Sequence, residues 1–411
     1  MQETDTCDLF HKCYQQTGLF SDIRNSDNNY FAAPILEGKV GPHMTFNGKK
    51  MIVWSINDYL GMAGHPEPTA RSKEVLEQFG TAYPMGARLM SGFTNKHREL
   101  EDRLAKFSQK ESALLFNYGY LGVQGIITSL VGSNDTVIID HDSHACIVDG
   151  ARLAATKKGQ LRVFRHNDLN HLEKILQSVQ QDRKGGILIV IDGIYGMTGE
   201  VAPLKEICDL KEKYNARLLV DDAHGIGIMG MNGRGTGEHL GVQDRIDLYF
   251  STFAKCFAGI GGFVAGSKKI IDYITWNARP VIFAKNLPLI YTEAVAATLD
   301  VLEREPERRA KLWEIARFLQ RRLREEGFNI GNTTSPITPV ILGVGGLEKT
   351  KQVIQDMREI HHIFTSGVMY PVVPRGVLLL RLVPSCKHTL DDVNKTVDAF
   401  VEIKRRILDT Q

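Results

Sequence analysis

The sequence is short of the features that mark a secreted, membrane-spanning or nucleic-acid-binding chain. Its Lys+Arg and Asp+Glu totals, 50 and 48, nearly cancel and leave a formal charge of +2. No excess of one sign argues for a polyanionic partner or an acidic membrane surface. The six cysteines (Cys7, Cys13, Cys146, Cys208, Cys256 and Cys386) are scattered and include no CxxC pair. That pattern excludes a zinc ribbon and a disulfide framework, so no metal site is expected and a reducing cytoplasm fits. There is no run of about 18 uncharged apolar residues, so no transmembrane helix is expected. Met1 to Phe10 carries acids and lacks the apolar core of a signal peptide. A lipid-related substrate would then be met from the aqueous side, in the cytoplasm or peripherally at the inner membrane. Internal repeats and low-complexity segments are also missing.

What is present is ordinary globular chain: 411 residues, 43% apolar, 24% charged and 8% aromatic. The length suits one large domain with a smaller one. The order of elements suggests an N-terminal arm over 1–56, a large α/β domain over 57–290 and an α+β domain over 291–411. In the arm, a short helix is expected near Leu9 to Thr17 and a loop at Asn25 to Asn29. Phe46-Asn47-Gly48-Lys49 reads as a hairpin turn leading into a strand over Met51 to Trp54. Leu100, Leu104 and Phe107 share one helical face, and Tyr118-Gly119-Tyr120 opens a second helix. Strands are then predicted at Thr136 to Asp140, Ile187 to Asp192, Leu218 to Asp221 and Leu248 to Thr252, with helices between them. Short, continuously apolar strands alternating with helices predict a mostly parallel sheet covered on both faces. Beyond Pro288 come a charged helix over Glu307 to Glu326, strands over Ile337 to Leu342 and Val377 to Leu382, and an amphipathic C-terminal helix. The basic residues of the charged helix (Arg308, Arg309, Arg321, Arg322 and Arg324) are expected to be a solvated face. Acids interleave them, and no nucleic-acid recognition motif is present.

Ligands in such sheets sit beyond the carboxyl ends of the strands. Asp192, Asp221 and Thr252 fall at those ends. Lys255 follows Thr252 in a stretch of small residues leading to the glycine-rich run Gly259 to Gly266. An acid and a lysine at the ends of neighbouring strands form a cradle for pyridoxal phosphate (PLP), the lysine as Schiff-base partner and the acid beside the pyridine nitrogen. Gly119, just before a helix, lets backbone N–H groups point at a phosphate.

Five segments in order carry a family resemblance: Asn57-Asp58-Tyr59-Leu60-Gly61, Asp142-Ser143-His144-Ala145, Asp221-Asp222-Ala223-His224-Gly225, Ser251-Thr252-Phe253-Ala254-Lys255, and Leu380-Arg381-Leu382 followed by His388-Thr389. From about residue 40 onward the chain resembles the α-oxoamine synthases, fold-type-I PLP enzymes. They include serine palmitoyltransferase, 5-aminolevulinate synthase, 2-amino-3-ketobutyrate CoA ligase and 8-amino-7-oxononanoate synthase. The resemblance implies that Lys255 holds PLP and serves as the α-proton base. It places Asp221 on the pyridine nitrogen, His224 on the phenolic oxygen and His144 against the ring. It puts Thr252 and the backbone around Tyr118, Gly119 and Tyr120 at the phosphate, and Asn57 and Arg381 at the amino-acid carboxylate. It further implies a decarboxylative condensation of an acyl thioester, on coenzyme A or acyl carrier protein, with an amino acid, in a homodimer whose active sites are shared.

Within the family the motifs divide. Asn277-Ala278-Arg279 and Thr334-Ser335-Pro336-Ile337 resemble serine palmitoyltransferase. Arg165 to Leu169 and Tyr370 to Gly376 resemble 5-aminolevulinate synthase. Where the latter has Thr-Arg-Asn, this chain has Ala87-Arg88-Leu89. Ala87 leaves room for a side chain on the amino acid, and Leu89 suits a fatty acyl chain. Other departures from the family pattern are Gly196 in place of a serine, Val123 in place of an asparagine, Cys256 in place of a smaller residue, and Lys285-Asn286 in place of a Ser/Thr pair. Lys285 adds a cation that could meet an acidic group on the amino acid, such as the sulfonate of cysteate. The expectation is a serine or cysteate fatty acyltransferase making a sphingoid or sulfonolipid base. The alternatives are a glycine-using synthase with a short acyl-CoA and a non-catalytic PLP-binding partner subunit.

Overall fold

A computed structural model describes residues 9–14, 30–31, 33–343, 347–368, 373 and 376–408. The centre is a seven-stranded sheet: β1 (Ser112–Phe116), β2 (Thr136–Asp140), β3 (Leu161–Phe164), β4 (Ile187–Asp192), β5 (Arg217–Asp221), β6 (Leu248–Thr252) and β7 (Gly262–Gly266). Their spatial order is β1-β7-β6-β5-β4-β2-β3. From β6 through β5, β4 and β2 to β3 every pairing is parallel. β7 runs against both of its neighbours, so the sheet is mixed. The cause is chain length. The stretch from Phe253 to Gly261 is too short for the dozen or more residues a parallel crossover needs, so the chain must turn straight back.

All residues of β4, β6 and β7 are buried. Their near-continuous apolar character follows from helices covering both faces. Alternate side chains go to opposite sides. Ile189, Ile191, Leu218 and Val220 join Leu100, Leu104, Leu172 and Leu204 in one core layer. Leu188, Val190 and Leu219 join Val123, Ile126, Ile147 and Ile274 in the other.

A three-stranded antiparallel sheet (Thr338–Gly343, Val377–Leu382, Ser366–Val368) forms the C-terminal part with helices Pro306–Glu325, Leu347–Glu359 and Leu390–Ile403. Its core gathers Ile315, Leu319, Val353, Leu380, Val393 and Phe400, together with Trp54. Trp54 stacks on His388 at 3.9 Å and donates its indole N–H to Thr396 at 2.9 Å. The hairpin of strands His43–Phe46 and Lys49–Val53 turns at Asn47 and Gly48, with φ of 48° and 76°. Positive φ at both positions is what a two-residue hairpin turn requires.

One expectation changes. The solvated-face reading of the basic helix fails at Arg309, which is buried with its guanidinium on the Met231 carbonyl. Arg308 reaches the Leu60 carbonyl and Glu305, and Arg322 reaches Asn394; these three tie the helix to its neighbours. The first helix spans His11–Tyr14. Residues 15–17, the loop at Asn25 to Asn29, and most of Tyr370 to Gly376 lie outside the described residues. Among the described residues no helix is long and apolar enough to cross a membrane.

Candidate active site

The carboxyl ends of β4, β5 and β6 bring the candidate residues together. Asp192 and Asp221 lie opposite one another in register, and Thr252 ends the next strand. Asp221 is 4% exposed. One of its oxygens accepts the Ala223 N–H at 3.1 Å, and the other lies 3.7 Å from the Cys146 thiol. Burial raises its carboxyl, and the charges of Lys255 and His144 pull it back. Burial holds the Lys255 ammonium below its ordinary value against the attraction of Asp221, and Arg381 adds to the depression. A lysine so placed is easier to deprotonate and is a better nucleophile.

His144 caps the helix Ala145–Ala154. Its Nδ1 accepts the Cys146 N–H at 3.3 Å and lies 2.9 Å from the Cys146 sulfur. Its own backbone N–H donates to Asp192 at 2.9 Å, so the loop is pinned at the strand end. Burial keeps the imidazole below its usual value; Asp221 opposes this and Lys255 reinforces it. His224 is held well below its ordinary value by burial and by the cations Lys255 and Arg381. Its Nδ1 is 2.8 Å from the hydroxyl of fully buried Tyr59, whose phenol burial pushes upward. A phenol that keeps its proton can donate to Nδ1, and in that tautomer the ring proton of neutral His224 sits on Nε2. A Cβ at Gly196 would lie 2.6 Å from that Nε2, so a serine does not fit beside His224 in this position.

Gly119 opens the helix Gly119–Leu130, and a Cβ there would lie 2.8 Å from the Thr252 hydroxyl oxygen. The helix N-terminus thus packs against Thr252, whose hydroxyl donates to the Gly261 carbonyl at 3.0 Å and accepts the Ala254 N–H at 3.2 Å. The first-turn N–H groups of a helix are natural anion donors. The rings of Tyr118 and Tyr120 are exposed. The Tyr120 hydroxyl donates to Asp149, and its ring stands edge-on to His144 at 6.2 Å.

Arg381, 7% exposed, donates its Nε to the Gly196 carbonyl and its Nη2 to Asn57 Oδ1 at 3.3 Å. Among the described residues it has no carboxylate partner, and burial depresses its guanidinium against the pull of Tyr59. Ala87 and Lys285 face each other as an isolated antiparallel bridge. The Asn117 amide donates to the Lys285 carbonyl, which ties this bridge two residues from Gly119. Lys285 Nζ lies 3.3 Å from the Met85 sulfur. Arg88 is engaged in a two-pronged pair with Glu101 at 2.7 and 2.9 Å and lies over Phe93, so its role is structural. Leu89 is half-buried beside the exposed Met85 and Met90.

Lys255, Asp221, His144, His224 and Arg381 therefore form one electrostatically connected group, with Asn57 on Arg381 and Thr252 against Gly119. The side chains of Tyr118 and Lys285 stand apart from it. Sequence reasoning assigned no role to Tyr59, Cys146 or Asp192. Tyr59 lies within a quoted motif and Cys146 two residues beyond His144, but their pairing with His224 and Asp221 is tertiary.

The sequence pattern of aminotransferase class I and II matches residues 49–400. The chain belongs to that family. It is 48% identical over 403 residues to a cysteate-C-fatty acyltransferase of Capnocytophaga ochracea, covering 97% of this chain and 95% of the relative. It is 36% identical to an 8-amino-7-oxononanoate synthase of Alkaliphilus oremlandii, covering 91% and 93%. Among solved structures it resembles serine palmitoyltransferase of S. paucimobilis with a bound PLP–myriocin aldimine, with a TM-score of 0.89, 31% identity and coverage of 97% and 99%. A Sphingomonas wittichii serine palmitoyltransferase gives 0.88 at 30% identity, covering 97% and 98%. The fold is that of the fold-type-I PLP-dependent transferases. The residues present fit that cofactor. A buried carboxylate with one oxygen free of strong donors, a depressed lysine, and a helix N-terminus packed on a threonine lie together at one end of the central sheet.

Proposed function

We propose that the chain is a PLP-dependent C-acyltransferase joining a long-chain acyl thioester, on coenzyme A or acyl carrier protein, to L-cysteate or L-serine. Carbon dioxide and the free thiol leave, and a 3-keto lipid base remains. The observation that carries this reading is Arg381. It is a buried guanidinium held by the neutral oxygens of Gly196, Asn57 and Tyr59, with no carboxylate partner among the described residues and within electrostatic reach of Lys255. A buried, unpaired cation is costly, and a substrate α-carboxylate supplies its counter-ion with two-pronged geometry.

When bound, pyridoxal phosphate supplies an electron sink for negative charge at the amino acid's Cα. Asp221 would hold a proton at the pyridine nitrogen, which would keep that sink effective. Thr252 and the N–H groups from Gly119 onward hold the phosphate. Lys255, with its depressed ammonium, takes the Cα proton and later returns one. His144, kept neutral by burial, would pack against the cofactor and offer a hydrogen bond to the thioester carbonyl. His224 donates from Nε2, oriented by Tyr59. A bond forms between Cα and the thioester carbonyl carbon, and the C–S bond breaks to release the thiol. The bond from Cα to its carboxylate then breaks to give carbon dioxide, and Cα is reprotonated.

The 48%-identical cysteate-C-fatty acyltransferase favours cysteate as the amino acid; the product would then be a sulfonolipid base. Ala87 leaves room at Cα, Leu89 and the exposed methionines give an apolar rim, and Lys285, which stands apart from its own chain's site group and has no acidic partner among the described residues, can meet a sulfonate across a shared dimer site. The structural likeness to serine palmitoyltransferases supports serine as the second reading. The apolar side chains around the Ala87–Lys285 bridge (Tyr83, Met85, Met90, Tyr118 and Phe283) are exposed in the single chain and suit a homodimer with shared sites. Such an enzyme works in the cytoplasm or peripherally at the inner membrane.

Titrating the PLP-loaded protein with L-cysteate, L-serine and glycine, and following its visible absorption, tests the first substrate. A saturating response to cysteate or serine well below the concentration needed for glycine is expected; a glycine preference contradicts the reading of Ala87. Lys285→Ala should weaken cysteate about tenfold more than serine, as expected for loss of one charge-assisted contact. Equal weakening of both would remove the sulfonate role.

A further inference from the structure

Outside the group that handles substrate, a second set of ionisable side chains clusters beyond the ends of β2 and β4. His166 Nδ1 is 2.9 Å from Asp140 and its Nε2 is 3.0 Å from Glu200. Asp142 lies 3.8 Å from Nδ1, and the Tyr195 ring packs edge-on at 4.3 Å. Asp140 is fully buried at the end of β2. It also accepts the backbone N–H groups of Asp142 at 2.8 Å and Asn167 at 2.9 Å. The Asp142 contact anchors the loop that leads to His144. Glu200 closes the turn that begins at Tyr195, through the Tyr195 N–H to Glu200 carbonyl bond at 3.0 Å and the Ile194–Val201 bridge. That turn presents the Gly196 carbonyl to Arg381.

We propose that His166 is a positioning residue: by holding Asp140, which anchors the His144 loop from the end of β2, and Glu200 of the turn, it couples the His144 loop to the Tyr195–Glu200 turn and so fixes the aim of Arg381. The inference rests on the reading of Arg381 as the amino-acid carboxylate receptor. The chemistry of the clamp is a cation between acids. Burial works against the charge on His166, but Asp140, Asp142 and Glu200 outweigh it and raise the imidazolium to about 9. The clamp is thus complete below the ordinary histidine value near 6.5 and is lost as pH rises through about 9. A neutral ring can satisfy one carboxylate as donor but not both.

The test uses the PLP-loaded enzyme with His166→Gln, Glu200→Gln and the double variant. Two quantities are read: hydrogen exchange over 141–144 and 195–200, and the amino-acid dissociation constant from the absorbance titration. Each single variant should accelerate exchange in both segments and weaken the amino acid on the order of tenfold, since a displaced guanidinium loses a directional contact. PLP affinity should stay within about twofold, and the double variant should be no worse than either single one. Faster exchange in one segment alone, additive losses, or a lowered melting temperature with unchanged amino-acid affinity would each overturn the coupling. Should His166→Gln fail to fold, Glu200→Gln at the half-exposed edge carries the same comparison. If the unmodified enzyme responds to no amino acid, the functional reading fails, and exchange in the two segments still decides the clamp.

Discussion

Asp221 and Asp222 are consecutive, both buried, and sit at the same strand end, yet their surroundings are opposite. Asp222 is closed in. It accepts the Thr236 N–H at 2.7 Å, the Thr236 hydroxyl at 3.0 Å and the Tyr249 hydroxyl at 3.0 Å. A Cβ at Gly193, Gly225 or Gly235 would lie within 2.3 Å of its oxygens, so three glycines are needed to let the backbone approach. Asp221 receives one backbone N–H and a distant thiol. A carboxylate saturated by its own protein holds a fold together; one left half-satisfied among depressed cations is arranged for something that is not protein. The alternation of a strand sends the two side chains to opposite faces, so one apolar strand ending in two acids produces both outcomes.

The comparison can be broken from several sides. Lys255→Ala should have the largest effect, removing the absorption band of lysine-linked cofactor and lowering turnover by about 10⁴-fold or more while leaving the melting temperature nearly unchanged. Asp221→Asn should lower turnover by about 10²–10³-fold with little loss of stability, because a neutral amide cannot hold the pyridine proton. Asp222→Ala should do the reverse. It strands the Thr236 and Tyr249 donors and should cost about 3 kcal/mol or more in denaturant unfolding, with turnover per folded molecule retained. If both substitutions changed activity and stability alike, the distinction would fail.

The pH dependence sharpens the same contrast. Burial raises Asp222 to about 6 from an ordinary 3.8, against the pull of its donors. A raised folded-state value means that its contribution is fully present below about 3.8 and is lost as pH rises through about 6. Wild type should therefore lose up to about 3 kcal/mol relative to Asp222→Asn across that window, as melting temperatures measured at several pH values would reveal. The smallest effect is expected at Cys146→Ser. A shorter hydroxyl in place of the thiol between His144 and Asp221 should move turnover by about two- to fivefold and shift the cofactor's absorbance pH midpoint. No shift would mean that the thiol merely fills space.

The parts of the fold readable in sequence were those whose physics is local. β2, β4, β5 and β6 are short apolar runs bounded by acids or threonine, and the hairpin at Asn47-Gly48 declares its own backbone. β7 hid in a glycine-rich stretch with little strand character. β3 is an edge strand with Arg162 and Val163 exposed, so its pattern is weak. The helix Pro66–Phe79 buries only Pro68 and Val75, which leaves almost no apolar stripe to recognise. In the site, Asp221, Thr252 and Lys255 were legible because strand ends and a following lysine are sequence features, whereas His144, His224 and Arg381 came from family motifs. Arg381 meets Asn57 across more than 300 residues, and Tyr59 finds His224 only through packing, so no local pattern marks either pairing. Arg309 was misread for the same reason, since its partner is a distant carbonyl.

The measurement that tests the central claim most directly is mass analysis of the products formed by the PLP-loaded protein from a long-chain acyl thioester with L-cysteate, L-serine or glycine. The account predicts a 3-keto amine carrying the acyl chain, formed with stoichiometric carbon dioxide and free thiol, from cysteate or serine and dependent on Lys255. Thiol release without carbon–carbon bond formation, or a product from glycine and a short acyl-CoA alone, would contradict it.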